Sequence, residues 1–287
     1  MITSFLRTWR FIYSHPLASR NLPYAIKQWF KWQIASRILK MPVVVPFIGE
    51  AYLVAELGMT GETGNIYAGL HEFVDMAFCL HLLRAGDLFV DVGANIGSYT
   101  VLASKVVGAN SFAIEPVPKT FEYLHRNLNL NEISSLVDSR CCAVGRNHGL
   151  VKFSSDLDTT NRVVDGSYYG SSIEVPVQTL DQMMEQLQPT LIKIDVEGFE
   201  FEVIACALKT LSCSSLLAIL IETVEPNTRK ILEEYGFEPA IYQPFQRDLQ
   251  VSENNHLSSN YLWIRNRSEI IRRCKSAPIY QSLGVDF

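Results

Sequence analysis

The 287-residue chain predicts an α/β fold in which a central, mostly parallel seven-stranded sheet is flanked by helices and preceded by a helical N-terminal extension, and three observations carry that prediction. From Asp87 onward, apolar runs of strand length alternate with amphipathic stretches of helix length, the order that sets parallel strands beside one another with helices on both faces. FVDVGANIGSYT (89–100) reads as a buried strand, a glycine turn and a helix start, the unit with which such sheets hold a ligand. With 48% hydrophobic and 19% charged residues, the chain can bury one sizeable core plus a smaller N-terminal element.

Residues 1–64 read as a basic, aromatic-rich, mostly helical extension, broken at Pro16, Pro23 and Pro42 to Pro46. Within it, MPVVVPFIGEAYLVAEL is extended. A helix follows through HEFVDMAFCLHLLRAG (71–86), stopped by Gly86. The core then runs as strand 88–92, helix 96–107, strand 111–115, helix 118–130 and a strand near 137–144. A polar, turn-rich excursion at 149–177 is flanked by the short strands LVKF and IEVPV, and a loop of this kind beside the sheet edge can line a substrate pocket. Helix 179–187, strand 190–195, helix 199–210, strand 216–222, helix 226–235 and strands near 237–242 and 260–265 complete a domain spanning 65–268, with 269–287 as a C-terminal tail.

Charge is unevenly distributed. Residues 1–49 hold seven basic side chains (Arg7, Arg10, Arg20, Lys27, Lys31, Arg37, Lys40) and no acid, against 18 basic and 30 acidic residues in the remainder. Together with Phe5, Trp9, Phe11, Tyr13, Tyr24, Trp29, Phe30 and Trp32, this composition suits a peripheral membrane contact through residues 1–49. The alternative is that these helices pack on the acidic domain or on a second subunit of a homodimer. A net charge of −5 and a pI near 5.7 argue against a nucleic-acid partner. No run of 18 apolar residues predicts a membrane span, and Arg7, Arg10 and His15 interrupt what a signal peptide would require. Six cysteines without CxxC or zinc spacing read as reduced, buried thiols of a cytoplasmic protein.

The glycine turn limits the cofactor. A dinucleotide fingerprint beginning at Gly93 would need glycines at 95 and 98, where Asn95 and Ser98 stand, so a nicotinamide dehydrogenase is disfavoured. The pattern present is Asp91-x-Gly93-Ala94-Asn95-x-Gly97, which resembles motif I of class I S-adenosylmethionine (SAM) methyltransferases. SAM carries no phosphate and has an ammonium on its methionine end, so a carboxylate such as Asp91 at the loop is chemically sensible. Eighteen residues past Gly97, SFAIEPVP ends a short apolar strand in Glu115, where a carboxylate can accept both ribose hydroxyls.

A third motif completes the pattern. DVGANIGSYT, AIEPVP, AVG (143–145), VQTLD (177–181) and KIDVEGFE (193–200), in that order, resemble the FkbM family of SAM-dependent methyltransferases over roughly residues 65–265. The resemblance implies a Rossmann-like class I methyltransferase fold and O-methylation of a hydroxyl on a small molecule or glycan, with Val144 and Glu72 joining Asp91, Gly93, Ala94, Asn95, Gly97 and Glu115 at the cofactor. Tyr67 and Glu72 match a tyrosine and an acid of the family. Asp195 is the candidate general base, with Glu197 beside it, or else Asp195 and Glu222 hold a divalent cation such as Mg²⁺ that lowers the pKa of the acceptor hydroxyl. Catechol-type O-methyltransferases, which use carboxylates in this way, carry a lysine three residues after the first acid, where this chain has Gly198. Glu200 reads as a first-turn acid meeting the helix dipole. His71 is placed to approach the cofactor with Glu72; His81, His125, His148 and His256 read as packing or surface residues, and Asn161 and Asn260 as turn residues. The rival from another class is a non-catalytic docking module that keeps the fold, against which the joint presence of Asp91, Gly93, Gly97, Glu115 and Asp195 counts.

Overall fold

In the computed structural model, which describes residues 2–39, 41–56, 60–154, 163, 168–252 and 258–287, the chain enters through two helices, α1 (Ile2–Ser14) and α2 (Leu22–Leu39), joined by a 3-10 turn at Ala18–Asn21. An antiparallel hairpin, β1 (Val43–Pro46) with β2 (Tyr52–Ala55), and the helix α3 (Thr60–Ala68) follow. One face of this entry segment is built into the rest of the protein. Ile12, Ala25 and Trp32 pack with Ala55, Tyr67 and the C-terminal Leu283, while Leu17 joins the central core beside Phe73 and Ile48. His15 fixes the junction. Its Nδ1 accepts the backbone N–H groups of Leu17 and Ala18 at 3.2 and 3.1 Å, so its Nε2–H donates to the carbonyl of His71 at 3.1 Å.

Every residue of α4 (Phe73–Leu82) is buried, including His81, whose Nδ1 lies 2.6 Å from the Tyr242 hydroxyl. The predicted strand at 88–92 forms as β3 (Leu88–Val92). The helix after it begins as α5 (Ser98–Val101) and continues as a π-helical turn at Leu102–Val107, ended by Gly108 at φ 81°. Then come β4 (Asn110–Ile114), α6 (Pro118–Leu130), with proline in its first turn, and β5 (Val137–Arg140).

The strand expected near 137–144 divides, because its end, β6 (Ala143–Val144), leaves the main sheet to pair with β8 (Ser172–Gln178), itself antiparallel to β7 (Gly149–Ser154). Most of the polar excursion between β7 and β8, with Asn161, lies outside the described residues, as does His256. Next are α7 (Leu180–Met183), capped by the Thr179 hydroxyl, and β9 (Leu191–Ile194).

The single helix expected at 199–210 is two, α8 (Glu200–Ala205) and α9 (Leu208–Leu211). The Asp181 carboxylate accepts the N–H groups of Lys209 and Thr210 at 3.0 and 2.8 Å, capping a fresh helix start. The remaining elements are β10 (Ala218–Ile221), α10 (Pro226–Glu234), β11 (Glu238–Gln243), β12 (Asp248–Val251), β13 (Tyr261–Ile264), α11 (Arg267–Ser276) and a closing hairpin of β14 (Gln281–Ser282) and β15 (Val285–Asp286).

Among the described residues the main sheet has eight strands rather than the predicted seven, in the order β12-β11-β13-β10-β9-β3-β4-β5. The extra one, β12, is a four-residue edge strand paired to β11 by a hairpin, too short and too polar for periodicity to reveal. The strands β10, β9, β3, β4 and β5 are mutually parallel, and β13 runs antiparallel between β10 and β11. From β3 the chain first builds outward through β4 and β5, then returns to build the other way through β9 and β10. The order reverses between β3 and β9, which opens a crevice beyond their carboxyl ends. No helix among the described residues is long and apolar enough to cross a membrane.

Candidate active site

The crevice is made by two turns, one after β3 and one after β9, pressed against each other. Gly93 and Ala94 both donate to the Ile114 carbonyl at 2.9 Å, and Asp195 N–H donates to the Val92 carbonyl at 2.9 Å. Each turn holds a non-glycine residue in the left-handed region, Asn95 in the first and Glu197 in the second, both at φ 51°. Strain of this kind is tolerated where the surrounding bonds fix it, and here it turns the backbone toward the crevice.

Glu115, just past the end of β4, is buried, and each of its carboxylate oxygens accepts one backbone N–H: Oε2 from Asn95 and Oε1 from Val117, both at 2.9 Å. Each oxygen keeps a further acceptor position, and Glu115 lines a cavity with Gly93, Asn95, Cys142, Val144 and Phe199. Burial pushes its carboxyl up to about 7, and the N–H groups of Val117 and Asn95 offset only part of that.

A second cavity of about 260 Å³ adjoins the first, sharing Gly93, Asn95, Asp195 and Glu197 with it. Glu72, His71, Asp91, Tyr99, Lys193 and Glu222 add to its polar lining, and Ala94 lines it as well. Asp91 is buried on β3 and accepts the Thr100 hydroxyl at 2.7 Å; burial raises its carboxyl despite Lys193 nearby. Glu72 accepts the Tyr99 hydroxyl at 2.8 Å. Burial, then the charges of Asp195, Glu197 and Glu200, push Glu222 up to about 7, and its buried Oε2 has no hydrogen-bond partner among the described residues. Carboxylate oxygens of Asp195, Glu197 and Glu222 all lie within 4.8 Å of one another.

The predicted residues therefore divide. Gly93, Ala94, Asn95, Asp91, Glu72, Glu115, Val144, Asp195, Glu197, Glu222 and His71 line one cavity or both. Gly97 is not among the lining residues; at φ 87°, with its N–H on the Ala94 carbonyl at 2.8 Å, it closes the turn from beneath. Tyr67 is packed into the N-terminal core, its hydroxyl accepting from Gln33 at 3.3 Å. Glu200 is buried and accepts the Gly198 N–H at 3.1 Å, a local turn contact. Asn260 is likewise structural, donating its N–H and its side-chain amide to Asp75 at 3.1 and 3.0 Å.

Sequence reasoning missed Lys193. Its side chain is 3% exposed, its Nζ stands 2.6 Å from Asp195 Oδ2 and 4.8 Å from the centre of the Tyr99 ring. Burial alone would lower the ammonium pKa, but Asp195, Glu72 and Asp91 outweigh it and hold it above its ordinary value. The signal was visible as the single charge in the strand LIKI, all four residues of which are buried.

An open sheet that reverses order at β3, a glycine turn aimed into the reversal crevice and an acid ending the next strand define the class I methyltransferase fold. The chain belongs to the FkbM methyltransferase family: the Methyltransferase FkbM domain matches residues 91–241, just over half of it. It is similar to the hexuronic acid methyltransferase AglP of Haloferax volcanii, 29% identical over 162 residues that cover 52% of this chain and 62% of that protein, so it spans less than two thirds of that relative. It is also similar to the 31-O-demethyl-FK506 methyltransferase FkbM of Streptomyces tacrolimicus, 26% identical over 182 residues, covering 50% of this chain and 68% of the relative. The crystal structure of a methyltransferase FkbM from Methylobacillus flagellatus KT superposes with a TM-score of 0.44 at 17% identity, covering 88% of this chain and 61% of that one.

Proposed function

We propose that the chain is a SAM-dependent O-methyltransferase that acts on a hydroxyl of a small molecule or glycan. The observation that carries this reading is the pair of adjoining cavities, one ending on the Glu115 carboxylate and the other lined by Asp91, Glu72 and Asp195. The donor set suits the cofactor. Glu115 has acceptor positions left for two ribose hydroxyls, Val144, Cys142 and Phe199 offer an apolar slot for an adenine, and Asp91 with Glu72 offers negative charge to an ammonium. When bound, SAM supplies an electrophilic methyl group on a sulfonium.

The chain's own residues position and deprotonate. Methyl transfer is an in-line displacement, so the main requirement is to hold an acceptor oxygen on the reaction axis and keep water away. Asp195 sits where the cavities meet, one oxygen fixed by Lys193, and accepts the proton of the acceptor hydroxyl in this reading, with Glu197 beside it. A sugar or natural-product hydroxyl is favoured as the acceptor, following the hexuronic acid and 31-O-demethyl-FK506 named for the two relatives. A cation held by Asp195, Glu197 and Glu222 is a second reading, favoured by their converging oxygens; its chemistry there would be to polarise the acceptor hydroxyl.

Calorimetric titration with SAM, S-adenosylhomocysteine and NAD tests the cofactor before any acceptor is known. Micromolar binding of the two adenosyl-sulfur ligands and none of NAD is expected. Binding of none of the three overturns the reading in favour of a non-catalytic module that keeps the fold.

A further inference from the structure

The second face of the entry helices is not buried. On α2, Phe30, Ile34 and Ile38 follow one another at four-residue spacing and are 53%, 58% and 72% exposed, forming an apolar stripe along the side turned away from the core. Leu6 and Tyr13 on α1 are exposed as well. The two helices are joined by a row of aromatic rings: Tyr13 against Trp9 at 5.5 Å, Trp9 against Trp29 at 6.0 Å, and Trp29 against Phe30 at 4.8 Å between centroids. Contiguous exposed apolar surface of this kind marks an interaction site more often than chance.

Charge identifies what the surface fits. Arg7, Arg10, Lys27 and Lys31 are exposed around the stripe, and no ion pair engages any of the four among the described residues. By helical spacing Lys27 and Lys31 fall on the same side of α2 as Ile34 and Ile38, so the cations interleave with the apolar groups instead of standing opposite them. No acidic residue occurs before Glu50, although the chain as a whole is acidic. A protein partner of ordinary composition would not require this exclusion of acids. An anionic lipid surface does, since phosphate-bearing headgroups meet the ammonium and guanidinium groups while the acyl boundary takes the apolar stripe and the aromatic rings take the interface between them.

We infer that α1 and α2 dock the protein on an anionic lipid bilayer, with their apolar stripe in the headgroup boundary and their basic residues on the headgroup phosphates. The docking face communicates with the crevice through one helix: α3 is held to α2 by the Gln33 to Tyr67 hydrogen bond and carries Asn65 into the lining of the second cavity. This inference is independent of the proposed chemistry, because it concerns residues that touch neither cavity.

Co-sedimentation of the full chain with vesicles tests it. Vesicles of phosphatidylcholine with phosphatidylglycerol are expected to carry the protein down, vesicles of phosphatidylcholine alone are not, and added salt should weaken the association. Two exposed-site variants, Ile34→Asp with Ile38→Asp and Lys27→Glu with Lys31→Glu, should each reduce vesicle affinity by about tenfold or more while leaving the melting temperature and S-adenosylhomocysteine binding unchanged. Equal sedimentation with both vesicle types, or binding unaffected by either variant, overturns the inference. So does a dimer in solution that the same substitutions dissociate, because the face would then belong to a second copy of the chain.

Discussion

A β-carbon on residue 93 would stand 1.8 Å from the carbonyl oxygen of Asp195. Gly93 is also held at φ 81°, so conformation and space both require glycine there. The two turns of the crevice are thus in contact through their main chains, and the position of Asp195 depends on the absence of a side chain at 93. Gly93→Ala must push the β9 turn away or leave the left-handed region, at a cost of about 2 kcal/mol or more. Thermal melts should show a lowered transition that S-adenosylhomocysteine no longer raises. A variant that melts like the parent and is still stabilised by the ligand would mean that the turns can separate without consequence.

Glu115 gives a pH dependence with a defined sign. Its carboxyl is raised to about 7 in the free protein, whereas two ribose hydroxyls donating to it would favour the ionised form. Binding should therefore release a proton, and affinity for S-adenosylhomocysteine should fall as the pH drops below about 7. The same raised value means that folding itself gains, by up to roughly 3 kcal/mol, as pH falls from about 7 toward the ordinary carboxylate range, so weaker binding in that window cannot come from unfolding at this residue. Calorimetry across this range should show the loss in the parent and a flat, weaker response in Glu115→Gln. Parallel profiles would remove Glu115 from the ribose site.

The carboxylates of Asp195, Glu197 and Glu222 can be tested without turnover. On the second reading, in which they hold a cation, Mn²⁺ followed by electron paramagnetic resonance binds the parent and binds Glu222→Gln markedly less, with S-adenosylhomocysteine affinity unchanged by chelator. Equal Mn²⁺ uptake by both proteins would leave the three acids as the polar wall of the cavity.

His15 sets a pH limit on the entry helices. Burial lowers it to about 4 from 6.5, and the hydrogen bond to the His71 carbonyl offsets only part of that. The unfolded chain binds this proton first, so the contribution is complete above about 6.5 and is lost progressively as pH falls toward 4, up to roughly 3 kcal/mol. Melting curves should show a steeper acid loss in the parent than in His15→Gln. Identical slopes would show that the entry helices stay docked with a charged ring.

Local chemistry explains which elements could be read from sequence. The strands β3, β4, β9 and β10 are apolar runs bounded by glycine, proline or acids, and their ends carry Asp91, Glu115, Asp195 and Glu222 into one crevice, as the alternation of elements implies. The features that escaped depend on distant partners. The break between α8 and α9 is made by Asp181, a residue of another helix. In α11 only Ile270 and Cys274 are buried, too thin a stripe to separate a helix from a polar tail. Tyr67 matched a family position by type, yet its local packing turns it into the N-terminal core. Lys193 stood out as a charge in an apolar strand, but its meaning lay in the pairing of two strands distant in the chain, Asp91 opposite Lys193.

That pairing makes the last prediction. Among the described residues Lys193 is the one lysine or arginine lining the second cavity, beside Asp91, Asp195 and Glu72, and removing it as Lys193→Met leaves the buried Asp91 and the half-buried Asp195 and Glu72 without that counter-charge. A loss of about 2–3 kcal/mol at neutral pH is expected, less than for a fully buried pair because the Asp195 side chain is 34% exposed and screened by solvent. Because the stranded acids can take up protons, the gap in melting temperature between parent and variant should narrow as pH is lowered. Neutralising the partner as well, in Lys193→Met with Asp195→Asn, should recover part of the stability, so that the two changes together cost less than their sum. A gap that is constant with pH and additive costs would mean that Lys193 acts through its packed methylenes rather than through its charge.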